Sequence, residues 1–213
     1  MPGVVLVLAS ASPARLATLR RAGVEPLVEV SRIDESTVRE ATPAGLASTL
    51  ARLKGREVAS RTPPDSGGRR VLVLGCDSVL ELDGEVHGKP GNAAEATDRW
   101  RRMRGGSGIL HTGHWLRDER PSDEGGTNAT LGATASTTVH FAALSDTEID
   151  AYVATGEPLR VAGAFTIDGL GGAFVTSIEG DHHNVVGLSV PLVRDLLIEV
   201  GVGWFDLAGA PTH

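Results

Sequence analysis

An α/β fold is predicted from how strand-like and helix-like segments follow one another. Short aliphatic runs alternate with stretches of helical periodicity over most of the 213 residues. The helical stretches open on Ser, Thr or Asn caps, with Pro in the first turn or an acid three residues on. A chain of this length is enough for a sizeable core, as one large domain over residues 1–213 or two intimately joined lobes within it, and it contains no internal repeat.

Residues 4–8, Val-Val-Leu-Val-Leu, read as a buried strand. Ser12 is the expected N-cap of a helix over 13–22, with Pro13 in its first turn, Leu16 and Leu19 facing inward and Gly23 as its stop. A short strand near 27–30 runs into Asp34-Glu35-Ser36. Thr42-Pro43 starts a second helix carrying Leu46, Leu50 and Leu53 at helical spacing, with Lys54 near its end. Residues 63–70 read as a surface loop. The runs 71–74 and 79–82 read as strands on either side of Asp77, and Asp83-Gly84 as a hairpin turn. Asn92 and Glu95 open a third helix that Gly105-Gly106 ends.

Strands are expected over 109–142, interrupted at 117–136. The Gly, Thr, Ser and acidic content there predicts a long flexible hairpin loop. Ser145 and Glu148 form a capping box for a helix with Ile149, Tyr152 and Val153. Strands near 164–167 and 173–178 and a helix over 191–199 complete the chain.

Composition narrows the function classes. Net charge is −7, so nothing global attracts nucleic acid or an acidic membrane, and an anionic ligand must be met by local cations. The single Cys76 excludes an internal disulfide and a multi-cysteine zinc site, and suits a reducing compartment. No run approaches the roughly 18 apolar residues of a membrane span, so a cytoplasmic protein is expected.

Three segments read as parts of one triphosphate site. Ser10-Ala-Ser-Pro-Ala-Arg15 follows the first strand and opens a helix, where free backbone N–H groups can hold phosphate. Ser10 and Ser12 add hydroxyls and Arg15 a fork of donors, although Ser12 taken alone reads first as a plain helix cap. Gly75-Cys-Asp-Ser78 places a carboxylate, Asp77, at the end of a buried-looking strand, where open α/β sheets present ligands. Gly88-Lys-Pro90 fixes Lys89 between two backbone-restricting residues. Lys54 is a further cation, and Glu35 a second carboxylate able to join Asp77 in holding Mg²⁺ or Mn²⁺. Asp34 reads as a local cap.

The ordered strings LAS-x-S-P-x-R, DE, G-x-D-S, GKP, GAF-x-I-x-G and NVVGL resemble the Maf-like nucleotide pyrophosphatases, also described as septum formation inhibitors, from Leu8 to about Leu197. The resemblance implies an elongated mixed sheet flanked by helices, of the Maf and inosine triphosphatase kind, with a cleft between two lobes. It implies metal-dependent hydrolysis of a nucleoside triphosphate to monophosphate and pyrophosphate, clearing non-standard nucleotides, with a link to cell-division arrest. Asp77, Glu35 and Lys89 would then be catalytic, with Asp77 and Glu35 holding the metal. Ser10, Ser12, Arg15 and Lys54 would bind substrate. A homodimer is suggested on the same ground. The alternative is a regulator of septum formation that binds nucleotide with little hydrolysis.

The chain departs from the family pattern at positions that influence which base is accepted. Ala14 stands where many relatives have the first Arg of SPRR. Asp168 replaces the Gln of the dTTP/UTP-directed branch, and Ser78 replaces its Thr. The branch acting on 7-methylated GTP has Trp, Gln and Glu there, which Asp168 matches only in acidity.

Rival motifs fail. Residues 84–90 miss the P-loop because their glycines are one residue too close and Pro90 stands at its Ser/Thr. Gly169-Leu-Gly-Gly172 lacks the dinucleotide fingerprint's last glycine. His111 and His114 have odd spacing, which points them to opposite faces of a strand, and His182-His183 likewise diverge. The run Arg99-Trp-Arg-Arg-Met-Arg104 sits at a helix end, where cations complement the macrodipole.

Overall fold

The computed structural model describes residues 4–61 and 70–207. The expected loop at 63–70 therefore lies outside the described residues, except that Arg70 begins a strand. The predicted α/β fold is present: a seven-stranded mixed sheet, flanked by helices on both faces. Strand β1 (Val4–Ala9) pairs in parallel with β2 (Leu27–Val28) and β3 (Arg70–Leu82). The sheet then continues antiparallel through β5 (Ser107–Asp118), β6 (Thr130–Phe141) and β7 (Val175–Glu179), while β4 (Glu85–His87) folds back on the far end of β3.

The helices begin where the caps predict. Ser12 accepts from the Arg15 N–H at the start of α1 (Pro13–Arg21), and Thr42 caps α2 (Pro43–Ala59). Asn92 caps α3 (Ala93–Met103), and Ser145 and Glu148 close a reciprocal box on α4 (Asp146–Ala154). Asp181 caps the short α5 (His182–Val186) and Ser189 caps α6 (Val190–Glu199). A last turn, α7, covers Trp204–Leu207.

Alternation along β3 builds the core. Leu72, Leu74 and Cys76 pack with α1 and α6, whereas Val71 and Val73 pack under α2 with Val7 and Trp115. A separate cluster fills the other end of the long strands, around Trp100 of α3, which meets Phe141, Tyr152 and Phe174 edge to face. Helix α2 lies directly on the sheet. A Cβ at Gly75 would come within 2.3 Å of the Ala51 carbonyl, and one at Gly113 within 2.3 Å of the Ala47 carbonyl.

Several expectations are corrected. Asp77 is not at a strand end: β3 runs unbroken through it, because Gly75 stays extended beneath α2 and β5 pairs along the whole segment. The sheet is nevertheless open there. Partner β1 stops at Ala9, opposite Gly75, and β4 begins pairing only at Leu80. The loop expected at 117–136 is shorter, since β5 continues to Asp118 and residues 130–136 belong to β6. Pairing of these Thr, Ala and Gly residues with positions 111–117 decides the conformation, and composition does not. Residues 164–167 form no strand; a 3₁₀ turn at Ala162–Ala164 precedes them, and Gly163 and Ala164 both have positive φ. A further 3₁₀ turn, Leu170–Phe174, replaces the start of the strand expected from 173, and β2 ends at Val28.

Candidate active site

The open edge of β3 is the floor of a cleft of about 1140 Å³. Every residue singled out in the sequence for catalysis, substrate binding or base choice lines it: Ser10, Ser12, Ala14, Arg15, Glu35, Lys54, Asp77, Ser78, Lys89 and Asp168. Asp77 and Ser78 project to opposite sides of β3, yet both face the cleft because no strand covers that edge.

At the centre, Lys54 bridges two carboxylates. Its Nζ pairs with Asp77 Oδ1 and lies 2.8 Å from Glu35 Oε1. The close seating of α2 on Gly75, two residues before Asp77, brings Lys54 within reach. Asp77 is buried, whereas the Glu35 side chain is 54 % exposed. Glu35 opens a 3₁₀ turn, Glu35–Thr37, that Asp34 caps through the Ser36 N–H at 3.0 Å, so Asp34 has the local role expected of it. Two carboxylates converging on one cation, on the wall of a phosphate-sized cleft, are a suitable donor set for a hard divalent ion completed by water and phosphate oxygens. No cluster of three or more His, Cys, Asp or Glu side chains able to hold a metal occurs among the described residues.

The cations divide into two kinds. Lys89 is exposed at the cleft wall and makes no ion pair with a described residue. Its segment is anchored through the Gly88 carbonyl, which accepts from Arg99 Nη1 and from the Gly163 N–H, so GKP and GAF meet in space. Arg15 is buried, and four of its five donors are used inside the protein. Nε donates to the Gly187 carbonyl (2.6 Å), Nη1 to Ser10 Oγ (3.0 Å) and the Cys76 carbonyl (2.9 Å), and Nη2 to Ser78 Oγ (2.9 Å). Arg15 thereby braces the chain on both sides of Asp77 while also lining the cleft. Gly187, at φ 121°, turns its carbonyl toward this guanidinium from the NVVGL segment.

His111 and His114 are tied into the sheet. His111 bonds Glu81 and Ser136, and His114 sits on the other face, donating to the Thr112 carbonyl and accepting the Ser189 N–H. Burial, with Arg15 beside it, pushes His114 down to about 4. His182 and His183 start α5 with their ring centroids 5.8 Å apart. Burial pushes the Cys76 thiol up to about 12, which leaves it an inert core residue.

The sequence reading missed Glu157, Arg160 and Thr166 on the opposite wall. An acid three residues before an arginine in a Pro-containing turn carries no local signal of chemistry.

A family model described as Maf-like protein matches residues 5–200. The chain belongs to the Maf-like family. Among its relatives is a protein of Salinispora tropica, 59% identical over 98% of this chain and 90% of the relative. One of Streptomyces coelicolor is 52% identical over 95% of this chain and 93% of its own, and one of Nostoc punctiforme 49% identical over 92% and 93%. All three are named nucleoside triphosphate pyrophosphatase. Three of the motif segments meet around Arg15: LAS-x-S-P-x-R through Ser10 and Arg15 itself, G-x-D-S through Cys76 and Ser78, and NVVGL through Gly187.

Proposed function

We propose that this Maf-like protein is a nucleoside triphosphate pyrophosphatase that releases nucleoside monophosphate and pyrophosphate, with Asp77 as the base that activates water. The observation that carries the reading is the Glu35–Lys54–Asp77 bridge at the open edge of β3, inside a cleft large enough for a nucleotide. Asp77 Oδ1 is held by Lys54, and Oδ2 has no hydrogen bond to a described residue, so it is the atom that accepts a proton from the attacking water. Lys54 relieves the repulsion between the two carboxylates and adds positive charge where the phosphates lie. Lys89, which makes no ion pair with a described residue, offers the triphosphate a second cation from the cleft lining.

Asp77 and Glu35 would hold Mg²⁺ or Mn²⁺. When bound, such an ion neutralises phosphate charge and polarises the phosphoryl group under attack. The lone buried Cys76 supports a reducing, cytoplasmic setting, and no helix among the described residues is long and apolar enough to cross a membrane. Clearance of non-standard nucleotides, the tie to septum formation and a homodimer rest on the family resemblance.

Incubation with ATP, GTP, CTP, UTP and dTTP in the presence of Mg²⁺ or Mn²⁺, followed by product analysis, tests the reading. Monophosphate with pyrophosphate is expected. Diphosphate with free phosphate would show that a different bond is cut, and binding without turnover would favour the regulator.

A further inference from the structure

Glu157 lines the cleft, and its carboxylate is enclosed by donors from the 166–171 loop and by Tyr152 of α4. Oε1 accepts from Thr166 Oγ1 (2.6 Å), the Gly171 N–H (2.9 Å) and Tyr152 OH (2.9 Å), and Oε2 accepts from the Leu170 N–H (3.0 Å). Leu170 and Gly171 are the first residues of the 3₁₀ turn Leu170–Phe174, whose own N-cap, Gly169, has no side chain to satisfy them. Glu157 thus caps that turn from a distant part of the chain. Burial pushes its carboxyl upward, but the bonds from Thr166, Gly171, Leu170 and Tyr152 outweigh it and leave the group below its ordinary range.

The loop is shaped to the carboxylate. A Cβ at Gly169 would lie 2.7 Å from Glu157 Oε2, and one at Gly171 2.4 Å from Tyr152 Oη, so only glycine permits the wrap. Asp168 lies inside the wrapped segment, between Thr166 and Leu170, both tied to Glu157. It is exposed and faces the cleft.

We propose that Glu157 is a positioning residue for nucleobase selection: by capping the 166–171 loop it sets where Asp168 meets the base. This rests on the reading of the cleft as a nucleotide site. Glu157 acts on the base through the loop.

Glu157→Gln is the decisive variant. Whichever way the amide turns, its NH₂ faces the N–H of Leu170 or of Gly171, so one donor at the start of the turn loses its acceptor. With ATP, GTP, CTP, UTP and dTTP as substrates, the spread in kcat/KM between the best and worst nucleotide should shrink about tenfold, with the loss on KM. Asp168→Ala combined with Glu157→Gln should shrink it no further than either alone. Tyr152→Phe removes one donor to Oε1 from outside the cleft; it should act in the same direction more weakly, and it decides the matter if Glu157→Gln fails to fold.

An unchanged spread with only a lower melting temperature, or an equal fall for all five nucleotides, would overturn the inference. So would independent, multiplying effects at positions 157 and 168. If the wild-type protein releases no pyrophosphate, the proposed function fails on its own. Dissociation constants for the same five nucleotides, measured by calorimetry, then judge the loop by the same criterion, and absence of binding overturns it.

Discussion

Lys54 Nζ, on the inner face of α2, donates to Asp77 Oδ1 in the middle of β3, at the one stretch where neither β1 nor β4 covers that strand's edge. This pair joins fold to chemistry. The helix can approach because Gly75 has no side chain, and the carboxylate reaches the cleft because β1 ends early.

Asp77→Asn keeps the shape and a carbonyl for Lys54 but removes the base. Turnover is expected to fall at least ~100-fold while nucleotide affinity changes little, as removal of a general base does. Steady-state kinetics with calorimetric binding checks this. Near-normal turnover in a folded variant would show that another group activates the water.

Lys89 and Arg15 should separate cleanly. Lys89→Ala removes a free cation, so KM rises and kcat falls with no change in melting temperature. Arg15→Met strands the Cys76 and Gly187 carbonyls inside the protein, at about 1–3 kcal/mol for each one that water cannot reach, and removes one partner each from Ser10 and Ser78. Its melting temperature should drop sharply before any question of catalysis arises. Equal melting curves for the two variants would contradict the assignment of Arg15 as a brace.

The β5–β6 connection is part of the core support and not a removable excursion. Asp118 is fully buried; it takes Arg120 on both oxygens and Thr127 through N–H and hydroxyl, and Arg120 also reaches the Val200 carbonyl. Burial works against the Asp118 charge, but Arg120 and Thr127 win and hold it down at about 2. Asp118→Ala leaves a buried guanidinium unpaired and should cost about 3–5 kcal/mol in urea unfolding. A cost below ~1 kcal/mol would show that the pair is solvated in solution.

What the sequence made legible, and what it hid, follows from how far apart the cooperating groups lie. Ser10, Asp77 and Lys89 stand beside Gly, Pro or a helix cap, so local punctuation marks them. Gly75 instead suggested a break in β3, because the α2 backbone that occupies its missing Cβ is remote in the chain. Strand β6 has Thr, Gly, Ala and Ser where aliphatics would signal a strand, and only its partner β5 determines it. Glu157 was invisible for the same reason: two of its partners are backbone N–H groups more than ten residues away. Arg15 was visible as a cation, but whether a guanidinium faces ligand or protein depends on the tertiary acceptors around it.

His114 gives the fold an acid-sensitive step. Its folded value, about 4, lies below the ordinary 6.5, so between these the unfolded chain binds the extra proton and stability rises with pH. On acidification the protein should lose roughly 3 kcal/mol between pH 6.5 and 4, with no further loss from this group below that. Asp118, depressed from 3.8 to about 2, destabilises only over the next window, from about pH 4 down to 2. Urea midpoints measured from pH 8 to 4 should fall in wild type and flatten in His114→Gln. A wild-type midpoint that does not move over that range would show that His114 titrates normally.

Base choice should turn on Asp168. Ionised Asp only accepts hydrogen bonds, whereas the Gln of the dTTP/UTP-directed branch both donates and accepts. An acceptor held at this wall favours bases presenting N–H donors, such as the N1/N2 edge of guanine or the amino group of cytosine, and leaves the carbonyls of uracil and thymine facing another acceptor. Ala14 lines the same cleft and contributes only a methyl group, which widens the pocket where many relatives carry Arg. The Ser78 hydroxyl, also in the cleft lining, is held in place by Arg15 and Thr112. Wild type is therefore expected to prefer GTP or CTP over UTP and dTTP, and Asp168→Gln to move kcat/KM toward UTP and dTTP by about tenfold, the scale of one hydrogen bond gained where one was opposed. Competition between nucleotide pairs in a single reaction reads the ratio directly. A wild-type enzyme strongly selective for dTTP and UTP would mean that Asp168 does not meet the base edge.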